Sequence, residues 1–192
     1  MEKANIVLLI GRPGCGKGTQ AKLLSEKLRW IRLSSGDRIK GIRDGNEPFS
    51  ERVRAIYDKG TLLPDWFADY ILERGLLELD PHVGIVCEGF GRTKNQAEHF
   101  MDIVEWLGRS LVVVNLEVPD EEVRRRMLER ATVENRPDSD GIQKIDERLA
   151  QYRDLTAPAL EFFRTKGVVV DIDGTKTRED IADDIAVALQ LA

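Results

Sequence analysis

The stretch Gly11-Arg12-Pro13-Gly14-Cys15-Gly16-Lys17-Gly18-Thr19 decides the fold. Before it runs Asn5-Ile6-Val7-Leu8-Leu9-Ile10, a short apolar segment rich in β-branched residues, the pattern of a buried parallel strand. After it, Ala21, Leu24, Ser25 and Leu28 recur at the spacing of an amphipathic helix. Strand, glycine-rich turn and helix together are the context of a phosphate-binding loop. Its glycines let the backbone come close to a ligand. Successive N–H groups then face one concavity at the positive end of a helix dipole. Lys17 adds a full charge that reaches terminal phosphates. The general pattern places Ser or Thr directly after the lysine, whereas here Gly18 stands there and Thr19 follows.

The remaining composition narrows the classes of partner. A chain of 192 residues is long enough for one domain with a sizeable core. Its 42% hydrophobic and 33% charged content fits a globular enzyme rather than a disordered chain. A net charge of −5 argues against nonspecific nucleic-acid binding, because no global positive field attracts a polyanion. Small phosphorylated ligands need only a local basic cleft. Cys15 and Cys87 form no Cys-x-x-Cys pair, so the sequence offers no thiolate metal or redox motif. Two reduced thiols, and an apolar run Ile6–Ile10 too short for a signal peptide or membrane span, lead to an expected cytoplasmic location with no membrane partner.

Along the chain, strands alternate with helices. Trp30–Leu33 reads as a short strand, followed by a helix with Ser34 or Ser35 as its N-cap. Gly41, Gly45, Asn46 and Pro48 mark 41–48 as a loop. Helices are expected over about 50–59, ending at Gly60, and from Pro64 onward. Strands are expected at 84–87, 111–116 and 168–172. Further helices are expected at about 94–107, from Pro119, in one long run to about Arg164, and from about Thr177. Continuous apolar strands separated by helices predict an α/β fold: a three-layer sandwich of the P-loop NTPase type, with five parallel strands and helices on both faces.

A phosphoryl-transfer site needs cations around many phosphate oxygens, and the sequence supplies arginines at strand ends and on helices. Arg92 follows the strand at 84–87, at the end of the sheet where open α/β folds bind ligands. Arg126 and Arg130 are four apart and share a helix face. Arg136 lies in a polar stretch, and Arg148 on the long helix.

In this order the chain carries Gly11–Thr19, Leu33-Ser34-Ser35-Gly36-Asp37, Gly60-Thr61-Leu62-Leu63-Pro64-Asp65 and Glu88-Gly89-Phe90-Gly91-Arg92-Thr93. Val118-Pro119-Asp120-Glu121, Arg136-Pro137-Asp138 and Asp173-Gly174-Thr175-Lys176 follow. The set resembles the adenylate kinases, over nearly the whole length. The resemblance implies one kinase domain with its core at 1–34, 77–130 and 142–192, a nucleoside-monophosphate flap at about 35–76, and a short lid at about 131–141. It implies transfer of the γ-phosphoryl group of Mg-ATP to AMP, with Mg²⁺ as cofactor, ATP and AMP as ligands, and a monomeric chain. Lys17, Arg92, Arg126, Arg136 and Arg148 would be catalytic. Gly14, Cys15, Gly16, Lys17, Gly18, Thr19, Arg126, Arg130, Gly174 and Lys176 would bind ATP. Ser35, Gly36, Lys40, Leu62, Gly89, Arg92, Gln96, Arg136 and Arg148 would bind AMP. Asp37, Glu88 and Thr19 would hold Mg²⁺ through its waters.

Four positions depart from the family pattern. Glu88 stands for Asp, Gly91 for Pro, Ser35 for Thr, and Lys40 for an arginine on the AMP phosphate. The longer acid alters the metal end, and Gly91 is expected to loosen the turn before Arg92. The alternatives are a kinase for UMP, CMP or dUMP, and a nucleotide-binding regulator with weak turnover. Gln96 favours adenine, since an amide pairs with one donor and one acceptor.

Overall fold

The computed structural model describes residues 5–59, 61–134 and 141–189, without the side chains of 132–134. Five strands form one parallel sheet in the order β2-β3-β1-β4-β5. They are β1 (Ile6–Gly11), β2 (Ile31–Ser34), β3 (Ile85–Glu88), β4 (Leu111–Glu117) and β5 (Val169–Asp173). β1 is central, with Ile6 opposite Ile85 of β3 on one side and Leu111 of β4 on the other. Its residues are all buried, which is why it reads as an unbroken apolar run rather than an alternation.

Alternate residues of β1 feed two separate cores. Ile6, Leu8 and Ile10 pack with Phe67, Ile71, Leu72 and Leu76 of α4 (Asp65–Leu77), Phe100 of α5 (Lys94–Trp106) and Phe163 of α8 (Ala157–Thr165). Val7 and Leu9 pack with Leu24 of α1 (Lys17–Leu28), Met127 of α6 (Asp120–Glu134), Leu149 of α7 (Ile142–Gln151) and Ile185 of α9 (Arg178–Ala188). This two-faced burial is the three-layer sandwich that the strand pattern predicts. The remaining helices, α2 (Ser35–Asp44) and α3 (Ser50–Asp58), lie between β2 and α4 in sequence.

Caps fix several boundaries. Ser34 Oγ, not Ser35, accepts from the Asp37 N–H at 3.2 Å and starts α2. Thr93 and Thr177 do the same for α5 and α9. α1 has no such cap, because its N-cap Gly16 supplies no side-chain acceptor, so the first N–H groups of α1 lack the partner that α2, α5 and α9 receive.

Two expectations need correction. Residues 41–48 are not all loop: α2 runs through Gly41 to Asp44, its last turn held by Gly45 N–H donating to the Ile42 carbonyl. The long helix expected to Arg164 is interrupted at Tyr152–Thr156 by a wider π turn between α7 and α8. Hydrophobic period alone misses such a turn, because Leu149 before it, Tyr152 within it and Leu160 after it all stay buried. Gly60 and residues 135–140, which include Arg136 and most of the expected lid, lie outside the described residues.

Candidate active site

The loop after β1 closes on itself through Lys17. Its Nζ donates to the carbonyl oxygens of Gly11 at 2.7 Å and Arg12 at 2.8 Å, and approaches Cys15 Sγ at 3.5 Å. Gly14 has φ +83°, and a Cβ there would lie 2.6 Å from Met127 Cγ, so both conformation and packing against α6 require glycine. The loop therefore sits wedged between α1 and α6, with its ammonium held near the uncapped start of α1.

Arginines from other elements share this space. Burial pushes the Lys17 ammonium below its usual lysine value; nearby Cys15 opposes the shift, while the charges of Arg92 and Arg148 add to it. The turn after β3 and the helix α7 thus bring Arg92 and Arg148 within electrostatic reach of Lys17. Arg92 is held at several points. Its Nε donates to the Gly89 carbonyl at 3.0 Å, its N–H donates to Gln96 Oε1 at 2.9 Å, and its carbonyl accepts from Thr156 Oγ1 at 3.0 Å. The last bond anchors the Arg92 backbone to the π turn.

The neighbouring residues form a connected wall. Ser35 Oγ donates to the same Gly89 carbonyl at 2.9 Å, joining α2 to the end of β3. Gln96 is 3% exposed, which settles that it is no solvated helix residue. Its Nε2 donates to Asp65 Oδ1 at 2.9 Å, and Asp65 Oδ2 accepts from Thr93 Oγ1 at 3.0 Å. One N–H and one lone pair of the amide are thereby engaged by the protein, leaving one of each. Gly36 lies in the first turn of α2 and Lys40 one turn on; Leu62 lies just before α4.

On the opposite side, Arg126 connects two of the expected ATP-site segments: its Nη1 donates to the Gly174 carbonyl at 3.0 Å and its Nε to Glu122 at 2.7 Å. Gly174 packs so close to Val118 that a Cβ would lie 2.6 Å from Cγ2. A cleft of about 370 Å³ opens beside it, lined by Arg12, Glu117, Val118, Pro119, Asp173 and Thr175. Lys176 is turned toward α9, where it pairs with Asp184 at 2.7 Å. Arg130 is exposed on α6, and Thr19 and Gly18 are exposed at the start of α1.

The carboxylates near the loop hold a surprise for the sequence reading. Glu88 is 9% exposed and lies over Gly18, whose added Cβ would come within 3.2 Å of Glu88 Oε2. Arg32 of β2 donates from Nη2 to Glu88 Oε1 and from Nη1 to Asp37 Oδ2, the latter at 2.8 Å. Gly91 also differs from expectation. It is buried at φ +62°, a definite left-handed turn rather than a loosened one, and proline cannot adopt it.

Sequence reasoning missed Arg32, Asp65, Arg12 and Thr156. Arg12 pairs with Asp120 at 2.6 Å and lies over the Tyr152 ring at 5.5 Å. A charged residue inside the four-residue strand Ile31–Ser34, just before Ser35-Gly36-Asp37, was the one available signal for Arg32.

Fixed positive charge around an anion-binding loop, on the end of an all-parallel sheet where the strands finish, is the equipment for moving a phosphoryl group, and it makes this chain a P-loop nucleotide phosphotransferase. Comparison with known proteins narrows the class. The family model for adenylate kinase matches residues 9–168. An adenylate kinase of Thermus thermophilus is 39% identical over 190 residues, covering 98% of this chain and 99% of the relative. Adenylate kinases of Thermobifida fusca and Maricaulis maris are each 37% identical over 185 residues, covering 96% of this chain and 97% and 98% of the relatives. The chain belongs to the adenylate kinase family, and it transfers a phosphoryl group between ATP and AMP.

Proposed function

We propose that Lys17, Arg92 and Arg148 form the centre through which the phosphoryl group passes, with ATP on the α1–α6 side and AMP on the α2–α5 side. Lys17 and Arg92 follow the ends of the paired parallel strands β1 and β3, and this placement carries the reading, supported by the reach of the Arg92 and Arg148 charges to the Lys17 ammonium. Gly14, Cys15, Gly16, Lys17, Gly18 and Thr19 would cradle the ATP phosphates on loop amides and the uncapped start of α1. Arg126 and Arg130 extend that grip along α6, and the cleft beside Gly174 suits the adenosine end of ATP; Lys176, paired with Asp184, would have to turn from α9 to reach it. Ser35, Gly36, Lys40, Leu62, Gly89, Arg92 and Gln96 would receive AMP. Arg136 belongs to the proposal by its sequence motif alone.

The chemistry asks little of the protein beyond placement. An AMP phosphate oxygen forms a bond to the γ-phosphorus of ATP, and the bond from that phosphorus to the β–γ bridging oxygen breaks, giving two ADP. Near neutral pH the attacking phosphate is already largely ionised, so no base has to remove a proton from it. The protein's task is to hold two polyanions in line and stabilise charge on the migrating group. Arginines suit it because they keep their charge and offer several N–H donors in a rigid fork.

Mg²⁺ fits the residues present. Asp37 and Glu88 are close enough to share one guanidinium, and the described residues contain no group of three or more His, Cys, Asp or Glu that would hold a metal by itself. One or two carboxylates assisted by waters and substrate phosphates is the arrangement Mg²⁺ favours. Asp37, Glu88 and Thr19 would hold it, and when bound it would neutralise charge on the phosphate oxygens. Flaps at about 35–76 and 131–141 that close over both nucleotides, a monomeric chain and a cytoplasmic location complete the proposal. Free, buried Cys15 and Cys87 support the last, and among the described residues no helix is long and apolar enough to cross a membrane.

The test is a pair of substitutions. Lys17→Met should abolish ADP formation while the enzyme still folds, with a small fall in Tm from the lost Nζ bonds to the Gly11 and Arg12 carbonyls. Arg92→Lys should lower kcat at least about tenfold, since lysine keeps the charge but not the fork. Wild-type turnover in Lys17→Met, or an effect of Arg92→Lys confined to AMP affinity, overturns the assignment.

A further inference from the structure

The geometry assigns Arg32 a role no part of the phosphoryl-transfer scheme uses: it is the positioning residue of the metal end, a resident counter-cation that holds Glu88 and Asp37 together and suppresses divalent-cation binding in the nucleotide-free enzyme. This rests on the proposed reading of Asp37 and Glu88 as the carboxylates of that end.

Three observations carry it. First, Arg32 grips both acids at once, Nη1 donating to Asp37 at 2.8 Å and Nη2 to Glu88. Second, Glu88 is nearly buried at the end of β3, where an unpaired carboxylate would be costly, and Arg32 is its only ion-pair partner among the described residues. Third, Arg32 Nε is buried with no hydrogen-bond partner among the described residues. The guanidinium thus leaves one donor unsatisfied while its two outer nitrogens serve the acids, the geometry of a group placed for the carboxylates.

The arrangement depends on the length of Glu88. Its extra methylene relative to Asp extends the carboxylate toward Arg32, and Gly18 leaves the space it occupies: a Cβ at position 18 would lie 3.2 Å from Oε2. Burial works against the Arg32 charge, but Glu88 and then Asp37 outweigh it and hold the guanidinium more firmly protonated than usual. A permanently charged guanidinium and a divalent cation compete for the same oxygens. With Arg32 in place the two acids present a net single negative charge, too little to gather a hydrated dication alone. The phosphates of ATP supply the missing negative charge, so metal and triphosphate enter together.

Manganese is the probe, with free Mn²⁺ read by electron paramagnetic resonance in titrations of the nucleotide-free enzyme. Arg32→Gln should tighten Mn²⁺ binding at least about tenfold, the scale on which one nearby charge shifts an ionic equilibrium. Glu88→Asp, which withdraws the acid from the guanidinium while keeping its charge, should tighten it in the same direction and serves if Arg32→Gln does not fold. A merely structural arginine predicts unchanged or weaker binding, and that result overturns the proposal. A parallel titration uses two adenosines joined through five phosphates as bound ligand. There Glu88→Gln and Asp37→Asn should weaken Mn²⁺ binding. If they do, and Arg32→Gln fails to tighten Mn²⁺ in the nucleotide-free enzyme, Arg32 alone is misassigned. If they do not, the metal-end reading falls and takes the proposal with it.

Discussion

Restoring the family's proline at position 91 should damage this enzyme. Gly91 is buried between the end of β3 and Arg92, at φ +62°. A Cβ there would lie 3.2 Å from Phe163 Cε2 and Cζ and 3.4 Å from Leu8 Cδ2, both side chains fully buried. For Gly91→Ala, the left-handed conformation costs about 1–2 kcal/mol. Crowding against Phe163 adds about 1–3 kcal/mol. In a chain of this length a loss of that size lowers Tm by roughly 5–15 °C. Gly91→Pro should be worse, because proline is confined to φ near about −65° and the turn must be rebuilt. The rebuilt turn would displace the Arg92 N–H from Gln96 and its Nε from the Gly89 carbonyl, so kcat should fall together with stability. Thermal unfolding by circular dichroism and steady-state ADP formation measure the two effects. A Gly91→Pro enzyme with wild-type Tm and undiminished turnover would refute the argument, and would show that the turn accepts the family conformation without strain.

Gln96→Ala should lower kcat/KM for AMP far more than for UMP, because the amide is held by Asp65 and the Arg92 N–H with one donor and one acceptor left for a base; an unchanged AMP-to-UMP ratio moves base recognition elsewhere. Acid stability should depend on Glu122, whose carboxyl is held down at about 2 by hydrogen bonds from Arg125 and then Arg126. A folded-state value below the unfolded one means its contribution is present above the ordinary value of 4.5 and disappears as pH falls from there toward about 2. Glu122→Gln should therefore flatten the pH dependence of Tm across that window, and a slope identical to wild type would count against the pairing.

The loop and its flanks are legible in the sequence because every local signal agrees: an unbroken apolar run for a strand buried on both faces, glycines where the backbone must turn, and helical period directly after. The arginines at 92, 126 and 148 are legible as candidates, since strand ends and helix faces follow from period alone. What sequence cannot convey is which side chains meet. Arg32 sits in a strand too short to show a pattern, and its partners lie 5 and 56 residues away. Gln96 is legible as a candidate for the base, but not its fixing: Asp65 from α4 and the Arg92 N–H orient its buried amide. The π turn at Tyr152–Thr156 preserves the apolar spacing on both sides, and so leaves no trace in periodicity. Gly91 reads as a lost constraint, yet its backbone angle makes it a different one.

The central claim, that these fixed cations carry a phosphoryl group from ATP to AMP, is tested most directly by measuring ADP formation from ATP and Mg²⁺ with AMP, UMP, CMP or dUMP as acceptor. The account predicts sustained turnover with the highest kcat/KM for AMP, at a stoichiometry of two ADP for each AMP consumed. A higher kcat/KM for UMP, CMP or dUMP, or tight binding of ATP and AMP with no ADP formed, would contradict it.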